Sequence, residues 1–181
     1  MIDLNDKKTA DLIEYFNISV EKAVYYEVFA APKPGLVDSL SSGAHSDMNI
    51  LKFVKSADVI IPFFTYLFKE GLTYQEELKN MLLKYRAEGL KTEEKMFSVT
   101  KGINTHKGLI FLMGLISFAA GYAYTQKKYI NAQTISDIII KITKDFISNE
   151  IENILKKDHD HSHGEEVYLK YGAGGARQEA V

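Results

Sequence analysis

The longest apolar stretch, Gly108 to Tyr124, stops short of the roughly 20 residues that span a bilayer, and Gly114 and Gly121 interrupt it. It reads as a buried central helix, and no membrane span is expected. The two glycines let neighbouring helices come close, although each weakens the helix by about 1 kcal/mol relative to alanine. Only three prolines occur, two of them in Pro32-Lys33-Pro34, and no alternating strand pattern with Asn-Gly or Asp-Gly turns is present. The expected fold is therefore all-α: one multi-helix globular domain around that central helix, with function carried by the loops between helices. A chain of 181 residues, 46% hydrophobic and 25% charged, is long enough for one core and short for two.

Periodicity places a short helix over Leu12, Ile13 and Phe16 and a second from Ser19 to Pro32. A polar crossing loop follows to about Asp47, then a helix from about Met48 to Lys69 that Pro62 kinks or divides. Thr73-Tyr-Gln-Glu76 has the form of a capping box opening a helix with Leu78, Met81, Leu82 and Tyr85 inward, closed by Gly89. A short helix over Thr92 to Val99 leads to a second polar loop, Thr100 to His106. Beyond the central helix, Ile135, Ile138, Ile139, Ile142, Phe146 and Ile147 mark a last long helix. Asp158 to Val181 is polar and glycine-rich, and no repeat or linker divides the chain.

The 22 basic and 24 acidic residues nearly cancel, so no broad positive field invites nucleic acid, and any anion site is local. With no cysteine there is no disulfide framework or thiolate chemistry. The first residues lack the apolar run of a secretory signal, and a cytoplasmic protein is expected.

Glu27, between Val24, Val28 and Ala31, falls on a stripe that should face the core, where a carboxylate needs a cation or donors. A structural ion pair and a functional role are equally good readings, and Glu93 repeats the case beside Met96 and Phe97. Lys33 to Asp38 puts a cation and a carboxylate around a rigid turn, and Gly43 to Met48 adds His45 and Asp47 before a helix. Asp38 and Asp47 are hard oxygen ligands suited to Mg²⁺, while Asp47 alone is equally a helix N-cap. Lys101, Asn104, His106 and Lys107 gather at a helix N-terminus, where free N–H groups and the dipole attract phosphate. The bland alternative is a capped loop with solvated lysines. In the stretch from Asp158 to Glu166, His159 and His161 are read as incidental, and His163 and Glu165 as bordering an ordered segment. Tyr171 to Arg177 could cradle phosphate with backbone N–H groups and a bidentate arginine.

The order of these segments is more specific than any one of them. Pro32-Lys-Pro-Gly-Leu-Val-Asp38, Gly43-Ala-His-Ser-Asp-Met48, Thr100-Lys-Gly-Ile-Asn-Thr-His-Lys-Gly108, His163-Gly-Glu165 and Tyr171-Gly-Ala-Gly-Gly-Ala-Arg177 together resemble the triphosphoribosyl-dephospho-coenzyme A synthases. The resemblance runs from about Glu27 to the last residue, with Gln178 standing where the family has a small residue. It implies an all-helical enzyme that moves the triphosphoribosyl group of ATP to a ribose hydroxyl of 3'-dephospho-coenzyme A and releases adenine. The product is the prosthetic-group precursor of the acyl carrier protein of citrate lyase, or of malonate decarboxylase, attached later by a separate enzyme. The family's domain continues through further helices, so residues 1–181 are expected to form its N-terminal portion. Dimerisation is one way to cover apolar surface left by those helices.

The resemblance and the clustered charges together assign His45, His163 and Glu165 to proton transfer. Lys33, Lys101, Asn104, His106, Lys107 and Arg177 go to substrate, and Glu27, Asp38 and Asp47 to Mg²⁺. A metal-dependent nucleotide or ADP-ribose hydrolase using the same acids is the alternative enzyme, and a nucleotide-binding fragment without activity the alternative outside catalysis.

Overall fold

Asp6 opens α1, Lys7–Phe29, its carboxylate accepting from the backbone N–H groups of Lys8 and Thr9. The computed structural model describes residues 2–4, 6–156 and 170. The first two expected helices are one, because the Ser19 hydroxyl donates back to the Tyr15 carbonyl at 2.8 Å and continues the helix instead of starting a new one. Val20, Val24 and Val28, each four residues apart, form its buried stripe. The helix ends at Phe29, and a cis bond joins Ala31 to Pro32.

α2, Ile50–Thr73, is capped by Asn49, whose side-chain oxygen accepts from Lys52 N–H at 3.1 Å. Asp47 therefore is not the N-cap. Replacing Asn49 with alanine should lower stability by about 1 kcal/mol, readable as a shift in urea midpoint, whereas Asp47→Ala should leave that midpoint in place. Pro62 lies exposed within α2 and does not divide it. Thr73 ends α2 and its hydroxyl turns back to the carbonyls of Lys69 and Glu70. The capping box does not form, and the chain instead takes a 3₁₀ turn at Leu78–Asn80 before α3, Met81–Thr100.

α3 passes straight through Gly89, and Thr92 donates to the Glu88 carbonyl at 2.8 Å, so the expected break between two short helices is absent. The helix ends where Lys101 and Gly102 take φ of 60° and 82°, which lets Gly102 N–H reach the Phe97 carbonyl. Lys107–Thr125 forms α4 and Ala132–Lys156 forms α5. Among the described residues there is no strand.

α4 is long and apolar enough to cross a membrane by length and composition. Ile110, Leu115, Phe118, Ala119 and Ala123 are nonetheless buried in the core, as expected for a central helix. Its closest neighbour is α2. A Cβ on Gly121 would strike the Phe68 carbonyl, and one on Gly71 the Phe118 carbonyl, so two backbones meet where both helices lack side chains. Gly121 answers the expectation of close approach. Gly114 does so less, since its added Cβ would meet only the side chains of Leu67 and Phe63, at 3.0 and 3.4 Å. α1 closes one side through Phe16, whose ring stacks on Phe68 at 3.9 Å. The outer face of α1 leaves Tyr15, Tyr26 and Phe29 exposed.

Candidate functional site

Asp38 organises the loop between α1 and α2. One carboxylate oxygen accepts from Lys33 N–H, and the other from Leu40 and Ser41 N–H, all at 2.8 Å. These three donors hold its carboxyl below the usual carboxylate range. Ala44 N–H closes the loop onto the Gly35 carbonyl at 3.1 Å. Gly43, at φ 56°, lies too close to the backbone of Gly35 and Leu36 for any side chain.

Lys33 is carried back by this turn to the end of α1. Its ammonium donates to the Glu27 and Val28 carbonyls, at 2.7 and 3.4 Å, and to the Glu27 carboxylate at 3.1 Å. A cation there satisfies orphan carbonyls at the negative end of the helix. The expectation for Glu27 is corrected: its side chain is 55% exposed and turned towards Lys33, while Val24 and Val28 take the core. The stripe ends before Ala31 because the helix ends at Phe29.

The loop between α3 and α4 meets this turn from the other side. The Asn104 side-chain oxygen accepts from Lys107 N–H at 3.1 Å and satisfies the first backbone donor of α4, whose N-cap residue is His106. Thr105 donates to the Ser56 hydroxyl at 2.8 Å, and Ser56 lies 2.7 Å from Nδ1 of His106. Nε2 is buried without a partner among the described residues. Burial first, and Lys33 second, hold the imidazole neutral, with its pKa down from 6.5 to about 4, against an opposing pull from Glu27. The ring stands edge to face with Phe53 at 5.0 Å.

A cavity of about 300 Å³ opens between these loops, lined by Glu27, Lys33, His45, Phe53, Asn104 and Thr105 among others. Two stretches far apart in sequence, residues 27–53 and 104–105, thus share one space, with Asp38 fixing one of its walls and His106 held through Ser56 and Thr105 beside it. Other expected site residues lie elsewhere. Asp47 is exposed, with its carbonyl accepting from Lys52 Nζ. Lys101 is exposed at the end of α3, and Lys107 turns away to Glu93, at 3.2 Å. Glu93 is accordingly an ion-pair partner at the edge of the core, 20% exposed. His163, Glu165 and Arg177, with His159 and His161, lie outside the described residues.

No three histidines or carboxylates converge among the described residues. Asp38 already accepts three N–H groups, so Glu27, Asp38 and Asp47 do not fit a site that holds Mg²⁺ by protein ligands alone. Sequence reasoning missed Ser56 and Thr105. The signal was a hydroxyl on the buried stripe of α2: Thr100, Ser117 and Thr143 bond back to their own helices, whereas Ser56 meets side chains.

Residues 14–181 match the sequence model of a family described as ATP:dephospho-CoA triphosphoribosyl transferase. The chain is 37% identical over 171 residues to a probable 2-(5''-triphosphoribosyl)-3'-dephosphocoenzyme-A synthase of Streptococcus equi subsp. equi, covering 88% of this chain and 58% of the relative. It is 36% identical over 163 residues to the 2-(5''-triphosphoribosyl)-3'-dephosphocoenzyme-A synthase of Pectobacterium atrosepticum, covering 90% and 53%. It is also 37% identical over 158 residues to Protein CitXG of Leuconostoc mesenteroides subsp. cremoris, covering 86% and 34%. The chain thus spans between a third and three fifths of the length of these relatives. No solved structure matches it.

Proposed function

The chain belongs to the ATP:dephospho-CoA triphosphoribosyl transferase family, and on that premise we propose that it transfers the triphosphoribosyl group of ATP to a ribose hydroxyl of 3'-dephospho-coenzyme A. The observation that carries this reading is the meeting of Glu27, Lys33, His45, Asn104 and Thr105 on one cavity. In the reaction the acceptor hydroxyl forms a bond to C1' of ATP's ribose as the bond from C1' to adenine breaks. The hydroxyl proton must leave and adenine must gain one.

His45, which lines the cavity, takes the hydroxyl proton in this proposal, and His163 and Glu165 are the further candidates for proton transfer. Lys33 and the N-terminal end of α4 at Asn104 hold the triphosphate, with Arg177 as a candidate clamp. Asp38 acts beneath, by fixing the backbone that delivers Lys33. Any Mg²⁺ would be carried on the triphosphate, since no three carboxylates or histidines converge among the described residues. The enzyme acts in the cytoplasm, and its product serves an acyl carrier protein, by preference that of citrate lyase, through a separate attaching enzyme.

Incubation of the full chain with Mg-ATP, with and without dephospho-coenzyme A, tests this by adenine release. Release that requires the acceptor supports the transferase, release to water alone supports a hydrolase, and binding without release supports an inactive fragment. Lys33→Ala should weaken Mg-ATP about tenfold or more, as loss of a charge-assisted contact implies. Native affinity in that variant would remove the triphosphate from this cavity.

A further inference from the structure

Helix interiors disfavour glycine more than any residue except proline, and Gly71 in α2 and Gly114 and Gly121 in α4 are each hemmed in by close neighbours. Gly89 in α3 is not. A Cβ there would meet only the Phe63 ring, at 3.8 Å, an ordinary contact, and its backbone needs no left-handed φ. Packing and backbone geometry therefore leave this glycine unexplained. What its missing side chain does is leave open a second cavity, of about 150 Å³, between α2, α3, α4 and α5.

Phe63, Leu82, Phe111 and Leu115 give that cavity an apolar, aromatic lining, and Gly114 joins Gly89 in its wall. A space of about this size with such a lining takes up a flat aromatic ring. Charge gathers among the same lining residues: Lys107 pairs with Glu93, and Arg86 is exposed with no ion-pair partner among the described residues. Two cations against one carboxylate leave a positive excess. Lys107 is two residues from Thr105, which lines the polar cavity, so the two spaces flank the N-terminal end of α4.

We propose that the cavity opened by Gly89 is a slot for the base of an adenine nucleotide, with the phosphates directed to Arg86 and Lys107. The ring sits beside Phe63 and Phe111, and Glu93 holds Lys107 in the wall of the slot. This rests on the function proposed above to the extent that ATP and dephospho-coenzyme A both carry such a nucleotide, and it assigns Lys107 and Arg86 to one of them.

Calorimetric titration of the full chain with ATP, dephospho-coenzyme A and adenosine provides the test. Gly89→Leu should fill the slot while melting at or above the native temperature, and should bind at least one of the two nucleotides about tenfold or more weakly. Loss confined to dephospho-coenzyme A places the acceptor there, and loss confined to ATP places the donor. Arg86→Ala should weaken the same nucleotide and leave adenosine unchanged. If Gly89→Leu does not fold, Gly89→Ala, which adds one carbon to the same space, is read in its place. A folded Gly89 variant with native affinity for both nucleotides overturns the slot. The function stands if Lys33→Ala then still weakens ATP, and both ideas fall if the native chain binds neither nucleotide.

Discussion

Gly121→Ala should destabilise the fold by about 3 kcal/mol or more, at the upper end of what overpacking costs, although the same change favours an isolated helix by about 1 kcal/mol. The added carbon has nowhere to go. It would enter the Phe68 carbonyl, and Leu72 N of the same turn of α2 lies only 3.1 Å from it, so α2 and α4 must separate. Separation then loosens Phe64, Phe68, Leu115 and Phe118, all 2% exposed or less. Urea unfolding monitored by far-ultraviolet circular dichroism reads the effect. Gly89→Ala is the control of opposite sign, expected at or above native stability, and a native midpoint for Gly121→Ala would mean that the helices do not cross there.

Acidification should remove about 3 kcal/mol of stability between about pH 6.5 and about pH 4, the interval between the unfolded and folded pKa of His106. The sign follows from burial. In that window the unfolded chain binds a proton that the folded imidazole refuses, so stability is fully present above the unfolded value and declines as pH falls to the folded one. Asp38 acts in the same direction lower down, because its hydrogen bonds persist until pH falls through its depressed pKa. His106→Gln should flatten the upper part of the curve and leave the lower part. A native chain whose urea midpoint is level across the upper window would show that His106 is not held neutral in the fold.

Much of this structure could be read from residue order. The all-α class and the buried α4 follow from one apolar run and few prolines, and the loops around Asp38 and His106 announce themselves through glycine, proline and charge. Helix continuity was less legible. Ser19 and Thr92 look like caps in a linear sequence, and only the helix carbonyl each one faces shows that they extend a helix instead. The site divides in the same way. Lys33, His45 and Asn104 share a cavity as the loop composition suggests, but Lys101 and Lys107 leave it. Their directions depend on a positive φ at one residue and on Glu93 of another helix, neither of which is a property of the local motif. Glu27 was misplaced for a simpler reason, since a helical stripe has meaning only up to the last turn.

The turn around Asp38 is held by its own hydrogen bonds: its carboxylate takes up the N–H groups of Lys33, Leu40 and Ser41, and the Gly35 carbonyl that of Ala44. The entropy of ordering this segment is thus lost during folding rather than at the encounter with substrate, where it would subtract from affinity. Preorganisation of this kind suits a receptor for a highly hydrated anion, since the groups that replace its water stand ready at fixed positions from the start.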